Sequence, residues 1–229
     1  MDISQILWYN SITLTDTNIY QIGVDCMIIT ISRQFGSGGR TIAKEVAERL
    51  GYQYYDKELI EATVKKSGLC EKFITENEEY ATYTNSLLFN LSIAGSVVDG
   101  RTMSVYDRLY VAQFNVIKDL AKAGNCVILG RCADYILKDN EDCLNVFIYA
   151  DMESRAKRVI ENYGESDKSI EKRLKEKDKK RQVYYKNYTG RNWGTMTNYN
   201  LCLDSGCIGI NHCVDIIVDV VKRHTNKNI

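Results

Sequence analysis

The chain has 229 residues, of which 45% are hydrophobic, and its 30 basic side chains are balanced by 30 acidic ones. This length and apolar share predict one globular domain with room for an inserted segment. The balanced charge gives no support to a general nucleic-acid-binding role, and the absence of any run of 18 apolar residues argues against a membrane-spanning helix.

Eight cysteines are scattered along the chain without a C-x-x-C pair. Zinc ligands usually come in pairs two to four residues apart, so we expect reduced, buried thiols in a cytoplasmic protein. Cys207, His212 and Cys213 come nearest to a metal-binding spacing. The first residues lack the basic and apolar regions of a secretory signal, which also favours the cytoplasm.

The first predicted element follows an N-terminal stretch without periodicity. Residues 1–26 are expected to form a loosely attached arm, and the main folded domain is expected over 27–229. A β-branched run over 27–32 is typical of a central parallel strand. Apolar residues at helical spacing then predict a helix over 41–50 that ends at Gly51.

Short apolar runs and helical patterns alternate through the rest of the chain. Further strands are predicted over 52–55, 126–129, 144–150 and 200–204. Further helices are predicted over 57–66, 106–123, 152–163, 169–185 and 210–223. This alternation predicts an α/β fold, with a parallel five-stranded sheet flanked by helices on both sides. Residues from about 70 to 110 break the pattern and are interpreted as an insertion that covers a substrate.

A glycine-rich turn joins the first strand to its helix and reads Gln34-Phe35-Gly36-Ser37-Gly38-Gly39-Arg40-Thr41. It is close to the phosphate-loop motif G-x-x-x-x-G-K-[ST], in which backbone N–H groups curl around phosphate oxygens at a helix N-terminus. Gln34 replaces the first glycine and Arg40 replaces the lysine. In this register Arg40 contacts the transferred phosphates and Thr41 ligates Mg²⁺. The alternative is a glycine-rich turn that binds no ligand.

Charged residues lie just after three predicted strands, at Asp56, Arg131 and Asp151. The carboxyl ends of parallel strands share one edge of a sheet, and ligands bind there in open α/β folds. These side chains and the phosphate loop are therefore expected to converge on one site.

From residue 27 the sequence MIITISRQFGSGGRTIAKEVAERLGYQYYDKELI resembles the start of the cytidylate kinase-like family. The resemblance continues at VILGRCA (127–133), VFIYADMESRAKR (146–158) and LCLDS (201–205), and it covers roughly residues 27–222. It implies a three-layer P-loop NTPase fold and transfer of the γ-phosphoryl group of ATP, with Mg²⁺, to a nucleoside monophosphate of the pyrimidine type. Such transfer depends on positioning and charge neutralisation.

The same resemblance implies roles for individual residues. Asp56 matches an acidic residue near the metal and the acceptor, and Arg131 matches an arginine that binds the acceptor phosphate. Cys132 replaces the aspartate that follows this arginine, with Asp134 as its candidate substitute. Arg155 matches a residue on the ATP side and is expected to stack on adenine. The alternatives are a helix cap for Asp56, a surface ion pair for Arg131 and a solvated helix face for Arg155.

Residues from about 164 to 199 are expected to form a helical lid, because they include nine basic residues between positions 168 and 186. Nucleoside monophosphate kinases close such a lid over the phosphates and exclude water. Arg181 is the main candidate for the lid arginine and Lys180 the second; a solvated helix with Glu–Lys pairs is the alternative. The aromatic and basic run at 184–194 allows stacking on nucleic acid, packing over a nucleotide or packing within the protein.

The acceptor side departs from true cytidylate kinases. The contacts that they make after the residue matching Asp56 are missing here, where residues 57–62 read KELIEA. The insertion is expected to supply the acceptor pocket, with Asp107 and Arg108 as candidates. The predicted function is therefore an ATP-dependent kinase for a nucleotide or another small acceptor, and the alternative is a catalytically weak nucleotide-binding regulator. An RNA-associated role is not expected.

Overall fold

The sheet is all-parallel, with the strand that precedes the glycine-rich turn at its centre. The computed structural model describes residues 27–56, 59, 62, 105–166 and 168–225. The strands are β1 Ile28–Arg33, β2 Gln53–Tyr55, β3 Cys126–Leu129, β4 Cys143–Tyr149 and β5 Leu201–Asp204. They are ordered β2-β3-β1-β4-β5, so the predicted five-stranded parallel sheet is confirmed.

Helices cover both faces of this sheet. They are α1 Gly39–Leu50, α2 Val105–Ala123, α3 Ala133–Ile136, α4 Met152–Tyr163, α5 Ile170–Thr189 and α6 Ile210–Thr225, with a short 3₁₀ turn at Met196–Asn198. On one face Ile29 and Ile31 pack with residues of α1 and α6. On the other face Ile28 and Ile128 pack with residues of α2, α3 and α5. The predicted three-layer architecture is therefore confirmed.

The central strand β1 is buried along almost its whole length. The first five residues of β1 are buried, because helices cover both of its faces. Thr30 is polar but satisfied, since its hydroxyl donates to Oδ1 of Asn145 at 2.6 Å. The strand therefore carries the glycine-rich turn on a rigid, buried support.

Helix ends differ from the predicted ones at two places that matter for the site. Helix α1 begins at Gly39, two residues before the predicted start, because Gly38 has a left-handed backbone and caps the helix. Helix α5 continues to Thr189, beyond the predicted end at residue 185, because Tyr185 and Tyr188 are buried in the core. The four-residue helix α3 was not predicted.

Several predicted segments lie outside the described residues. They are the arm over 1–26, nearly all of the 57–66 helix and residues 70–104 of the insertion. Along the described ranges no helix is long and apolar enough to cross a membrane. The described cysteines are free thiols, and Cys126, Cys132, Cys143 and Cys213 are buried.

Candidate active site

The glycine-rich turn forms a loop that is tied to the neighbouring strand β4. The amide of Gln34 donates to the carbonyl of Ile148 at 3.0 Å. The side-chain oxygen of Gln34 in turn accepts from the amide of Ala150 at 3.2 Å. The glutamine that replaces the first glycine of the motif therefore anchors the loop to the carboxyl end of β4.

Two glycines of the loop have backbone conformations that other residues rarely adopt. Gly36 has a φ of +81° and Gly38 a φ of +76°. A Cβ on Gly36 would lie 2.8 Å from the carbonyl oxygen of Arg155, and a Cβ on Gly38 would lie 2.8 Å from Cδ1 of Ile210. Glycine is therefore required at both positions for conformation and for space.

The start of α1 has the features of an anion-binding helix terminus. The first N–H groups of a helix have no partner within it, and they carry the positive end of the helix dipole. Among the described residues no side chain caps α1, and its first turn contains no acidic residue. Gly39, Arg40 and Thr41 therefore present backbone donors at the mouth of the loop.

A buried ion pair between α4 and α5 supports the loop from the protein interior. Nη2 of Arg155, on α4, donates to Oδ2 of Asp178, on α5, at 2.6 Å, and both residues are buried. Oδ1 of Asp178 accepts from the amide of Phe35 at 2.8 Å, and Nε of Arg155 donates to the carbonyl of Phe35 at 2.8 Å. Both backbone groups of Phe35 are thus fixed by the same pair.

This arrangement corrects the position expected for Arg155. Its side chain lies under the loop with its guanidinium bound to Asp178 and Phe35. A buried guanidinium in this position offers no open face to adenine. Arg155 therefore supports the loop from inside the protein, and neither adenine stacking nor a solvated helix face describes it.

Arg181, the main candidate for a lid arginine, lies against the base of the loop. Its Nη1 donates to the carbonyl of Arg33 at 3.0 Å and lies 3.7 Å from Oδ1 of Asp178. Its guanidinium carbon is 5.8 Å from the centre of the Phe35 ring. The structure therefore brings Arg181 to the phosphate loop; closure of a lid stays a prediction.

A second buried contact comes from the residue after β5. The hydroxyl of Ser205 donates to the carbonyl of Ser37 at 2.5 Å. Nη2 of Arg158 donates to the carbonyl of Ser205 at 2.6 Å. Ser205 is fully buried, so it fixes the loop from the β5 side, a role that the sequence did not indicate.

Asp56 and Arg40 meet at the outer rim of the loop. Nε of Arg40 lies 3.2 Å from Oδ2 of Asp56, with the two side chains 67% and 18% exposed. The hydroxyl of Tyr54 donates to the same carboxylate oxygen at 3.4 Å. The charge of Asp56 raises the pKa of Arg40, and burial raises the pKa of Tyr54 to about 12. The rim is therefore a cation–carboxylate pair beside the helix start.

A strained turn follows β3 at the same edge of the sheet. Gly130, Arg131 and Cys132 have φ values of +76°, +57° and +57°. Non-glycine residues in such conformations cost about 1–3 kcal/mol each and are often found at functional sites. The amide of Gly130 donates to the carbonyl of Ile31 at 3.0 Å, which places the turn beside β1. Half-buried Arg131 is therefore held near the phosphate loop, as its position after a strand predicted.

Asp134 lies behind this turn and does not have the open position expected of a substrate contact. It is buried, and its carboxylate accepts from the hydroxyl of Tyr185 at 2.6 Å. Burial raises the pKa of Asp134 from 3.8 to about 6. As placed, Asp134 joins α3 to α5, which corrects its predicted role as an acceptor ligand.

The raised pKa of Asp134 predicts a pH-dependent stability. Because the folded pKa exceeds the unfolded one, folded protein retains a proton that unfolded protein releases, and stability falls as pH rises from about 4 to about 6. The gap between 3.8 and about 6 corresponds to about 3 kcal/mol. Asp134→Asn should therefore gain up to about 3 kcal/mol relative to the parent between pH 4 and pH 7.5, measured by urea unfolding. The exposed control Asp219→Asn should show no such trend, and parallel profiles for Asp134→Asn and the parent would contradict the prediction.

The aromatic run at 184–194 packs within the protein at its described contacts. The rings of Tyr188 and Tyr110 are stacked with centroids 4.1 Å apart, and Tyr184 lies edge-on to Tyr188 at 4.8 Å. Trp193 lies edge-on to Phe147 at 5.3 Å. Of the three interpretations, these contacts favour packing within the protein.

The acceptor candidates on α2 are only partly defined. Asp107 is buried. The side chain of Arg108 and residues 70–104 lie outside the described residues. The predicted acceptor-side role of the insertion therefore stays a prediction.

Known proteins match this chain over most of its length. The model of the cytidylate kinase-like family matches residues 28–206. A cytidylate kinase from Archaeoglobus fulgidus is 33% identical over 201 residues, which are 86% of this chain and 95% of that protein. A cytidylate kinase from Methanococcus vannielii is 28% identical over 200 residues, which are 86% of this chain and 100% of that protein.

Solved structures share the fold of this chain. An uncharacterized protein from Eubacterium ventriosum has a TM-score of 0.62 and 28% identity, with 86% of this chain and 98% of that one covered. A gluconokinase from Sinorhizobium meliloti has a TM-score of 0.50 at 13% identity, covering 88% of this chain and 94% of that one, which is a likeness of fold alone. Because the family model spans the loop, the Gly130 turn and Ser205, the chain belongs to the cytidylate kinase-like family.

Proposed function

We propose that this chain is an ATP-dependent phosphotransferase that moves the γ-phosphoryl group of ATP to a nucleoside monophosphate or another small acceptor. The observation that carries the proposal is the loop over residues 34–41, which joins left-handed glycines to an uncapped helix start. A loop of this kind favours the terminal phosphates of a nucleotide. Membership of the cytidylate kinase-like family supports the same reaction. The use of ATP fits the cytoplasmic location expected from the free thiols.

The residues at the sheet edge divide into a donor side and an acceptor side. The backbone of 36–41 holds the donor phosphates, and Arg40 lies beside them on the rim. Arg131 faces the acceptor side at the end of β3. In the reaction an acceptor oxygen forms a bond to the γ-phosphorus while the bond to the β-phosphate oxygen breaks, and ADP leaves with that electron pair. The protein contributes positioning and positive charge.

The residues at the rim suit a magnesium ion bound with the nucleotide. Mg²⁺ prefers oxygen ligands, and in kinase sites it takes one or two from the protein and the others from phosphates and water. The carboxylate of Asp56 lies beside Arg40 at the rim, and the next residue of α1, Thr41, is exposed. These two residues would hold the ion, which supplies further neutralisation of phosphate charge.

The acceptor is proposed first among pyrimidine nucleoside monophosphates, because the named relatives are cytidylate kinases. A coupled assay should follow ADP release with CMP, dCMP, UMP, AMP and GMP. We expect at least one acceptor to raise ADP release well above the rate with ATP and water. Tight Mg·ATP binding without turnover on any acceptor would instead support a nucleotide-binding regulator of the same fold.

Arg40→Ala tests the rim of the proposed site. Because the side chain is 67% exposed and its described ion pair is with Asp56, its loss should cost at most about 1 kcal/mol of stability. Turnover should fall about tenfold or more, since a cation beside the transferred phosphates is removed. Both are measured against Arg49→Ala, which removes an arginine of α1 that is paired with Glu45 and Asp215 away from the loop. Similar turnover for the two variants would contradict the role of Arg40.

A further inference from the structure

Arg33 is the last residue of β1, and its side chain runs back over the start of α1. A Cβ on Gly39 would lie 2.5 Å from Cβ and 2.9 Å from Cγ of Arg33. Further along the side chain, Nη1 of Arg33 would overlap a Cβ on Gly130. Gly39 and Gly130 thus form a passage, here called the Arg33 slot, that leads the side chain from the phosphate loop to the end of β3.

The Arg33 slot explains why residue 39 is a glycine, although its backbone conformation does not require one. Gly36 and Gly38 have positive φ angles, but Gly39 lies in the first turn of α1 without one. Glycine in a helix costs about 0.5–1 kcal/mol relative to alanine. Any side chain at position 39 would collide with the stem of Arg33. Glycine is therefore present at this position despite its lower helix stability, because it leaves room for the Arg33 side chain.

The observed start of α1 also changes how the motif is counted. Gly38 is the left-handed residue that caps the helix. If Gly38 is the last glycine of G-x-x-x-x-G-K-[ST], the lysine position falls on Gly39 and the hydroxyl position on Arg40, so that Thr41 offers its hydroxyl one position later than the motif does. The lysine position is then occupied by a glycine, which carries no charge. The stem of Arg33 fills the space where a lysine side chain would begin.

The surroundings of Arg33 fix its direction. Its backbone pairs with Ile148 in the β1–β4 ladder, and its carbonyl accepts from Arg181. Burial raises the pKa of Tyr54, the middle residue of β2, and the charge of Arg33 is among the smaller effects that lower it. Because its stem passes Gly39 and its Nη1 lies against Gly130, the guanidinium lies at the carboxyl ends of β1 and β3, between the phosphate loop and the Gly130 turn.

We propose that Arg33 supplies the fixed positive charge to the phosphoryl group during transfer, in place of the motif lysine. This rests on the proposed phosphotransferase function. From the slot the guanidinium can donate to oxygens of the transferred phosphoryl group between the donor loop and Arg131. The planar guanidinium presents a fork of N–H donors that suits phosphate oxygens. Its position is fixed because the side chain passes through the space that Gly39 and Gly130 leave. Arg40 on the exposed rim then has the smaller effect.

Three variants test this role. Arg33→Met should lower kcat about 100-fold, the effect of removing one donor aimed at transition-state charge. Gly39→Ala keeps every charge but displaces the Arg33 stem, so it should also lower kcat at least tenfold. The double variant Arg33→Met/Gly39→Ala should be no slower than Arg33→Met alone, because both changes act through one side chain. Arg223→Met, on the exposed end of α6, is the matched control and should retain parental kcat.

The outcomes separate this inference from the function on which it rests. Absence of turnover by the parent with every acceptor is a failure of the phosphotransferase function, and the role of Arg33 fails with it. Parental turnover with an unaffected Arg33→Met variant overturns the role of Arg33 alone. If the loss of kcat in the double variant equals the product of the two single losses, Gly39 and Arg33 act independently, and the slot is overturned. If thermal melting shows that Arg33→Met does not fold, Arg33→Lys takes its place, with an expected loss of at least tenfold because lysine lacks the planar fork.

Discussion

Asp178→Ala is expected to lower the free energy of unfolding by about 3–5 kcal/mol, because it leaves the buried guanidinium of Arg155 without its carboxylate. Both carboxylate oxygens of Asp178 are used, one by Arg155 and one by the amide of Phe35. The substitution also releases the backbone of the phosphate loop, so Mg·ATP affinity should fall with stability. Denaturant unfolding and calorimetric titration measure the two effects.

A double-mutant cycle shows whether the cost comes from the unpaired charge. Arg155→Met removes the guanidinium and keeps much of its volume. Asp178→Ala/Arg155→Met should be clearly more stable than the sum of the single losses predicts, because no charge is then left buried alone. Additive losses would show that the two residues act independently and would contradict the buried pair as the support of the loop.

Gly36→Ala is expected to abolish measurable Mg·ATP binding, while Gly38→Ala weakens it less. Both changes put a side chain on a residue with positive φ, which costs about 1–2 kcal/mol. At Gly36 the new Cβ also meets the carbonyl oxygen of Arg155, which is fixed in α4. At Gly38 it meets the end of the Ile210 side chain, which can move to another rotamer.

The pair of glycine variants is matched for chemistry and differs in what the added methyl group meets. Calorimetric titration should give at least a tenfold weaker affinity for Gly36→Ala than for Gly38→Ala, with thermal melting as the control for folding. If Gly38→Ala binds as weakly as Gly36→Ala, the clash with Arg155 is not what shapes the loop.

Local sequence patterns were sufficient to predict the fold. The apolar run of β1, the glycine-rich turn and the amphipathic helix α1 are neighbours in the chain, so their order indicated a phosphate loop directly. The same local logic placed Asp56 and Arg131 at the carboxyl ends of their strands. Hydrophobic periodicity could not show the short helix α3, which follows the strained turn after β3.

The supports of the loop were missed because their partners are distant in sequence. Arg155 and Asp178 both lie on highly charged helices, where a contact with the nucleotide or a solvated helix face was expected. One signal was present: Asp178 is spaced four residues from Leu174 and seven from Tyr185, so it lies on the buried stripe of α5. An acidic residue on such a stripe predicts a buried partner.

The steric role of Gly39 was not predicted, for a different reason. In a glycine-rich loop every glycine is readily explained by backbone conformation, and the sequence gives no angle for any of them. The structure shows that Gly39 is needed for space, because the Arg33 stem crosses its position. Arg33 was therefore not among the predicted site residues, although it directly precedes the motif.

The central claim is that the backbone of residues 36–41 binds the terminal phosphates of a magnesium nucleotide. Its most direct test is an NMR titration of the ¹⁵N-labelled full chain with Mg·ATP and, separately, with adenosine. The account predicts saturable shifts of the Gly36 to Thr41 amide signals with Mg·ATP, and little change at these signals with adenosine at the same concentration. Amide signals of 36–41 that stay in place at saturating Mg·ATP would contradict it.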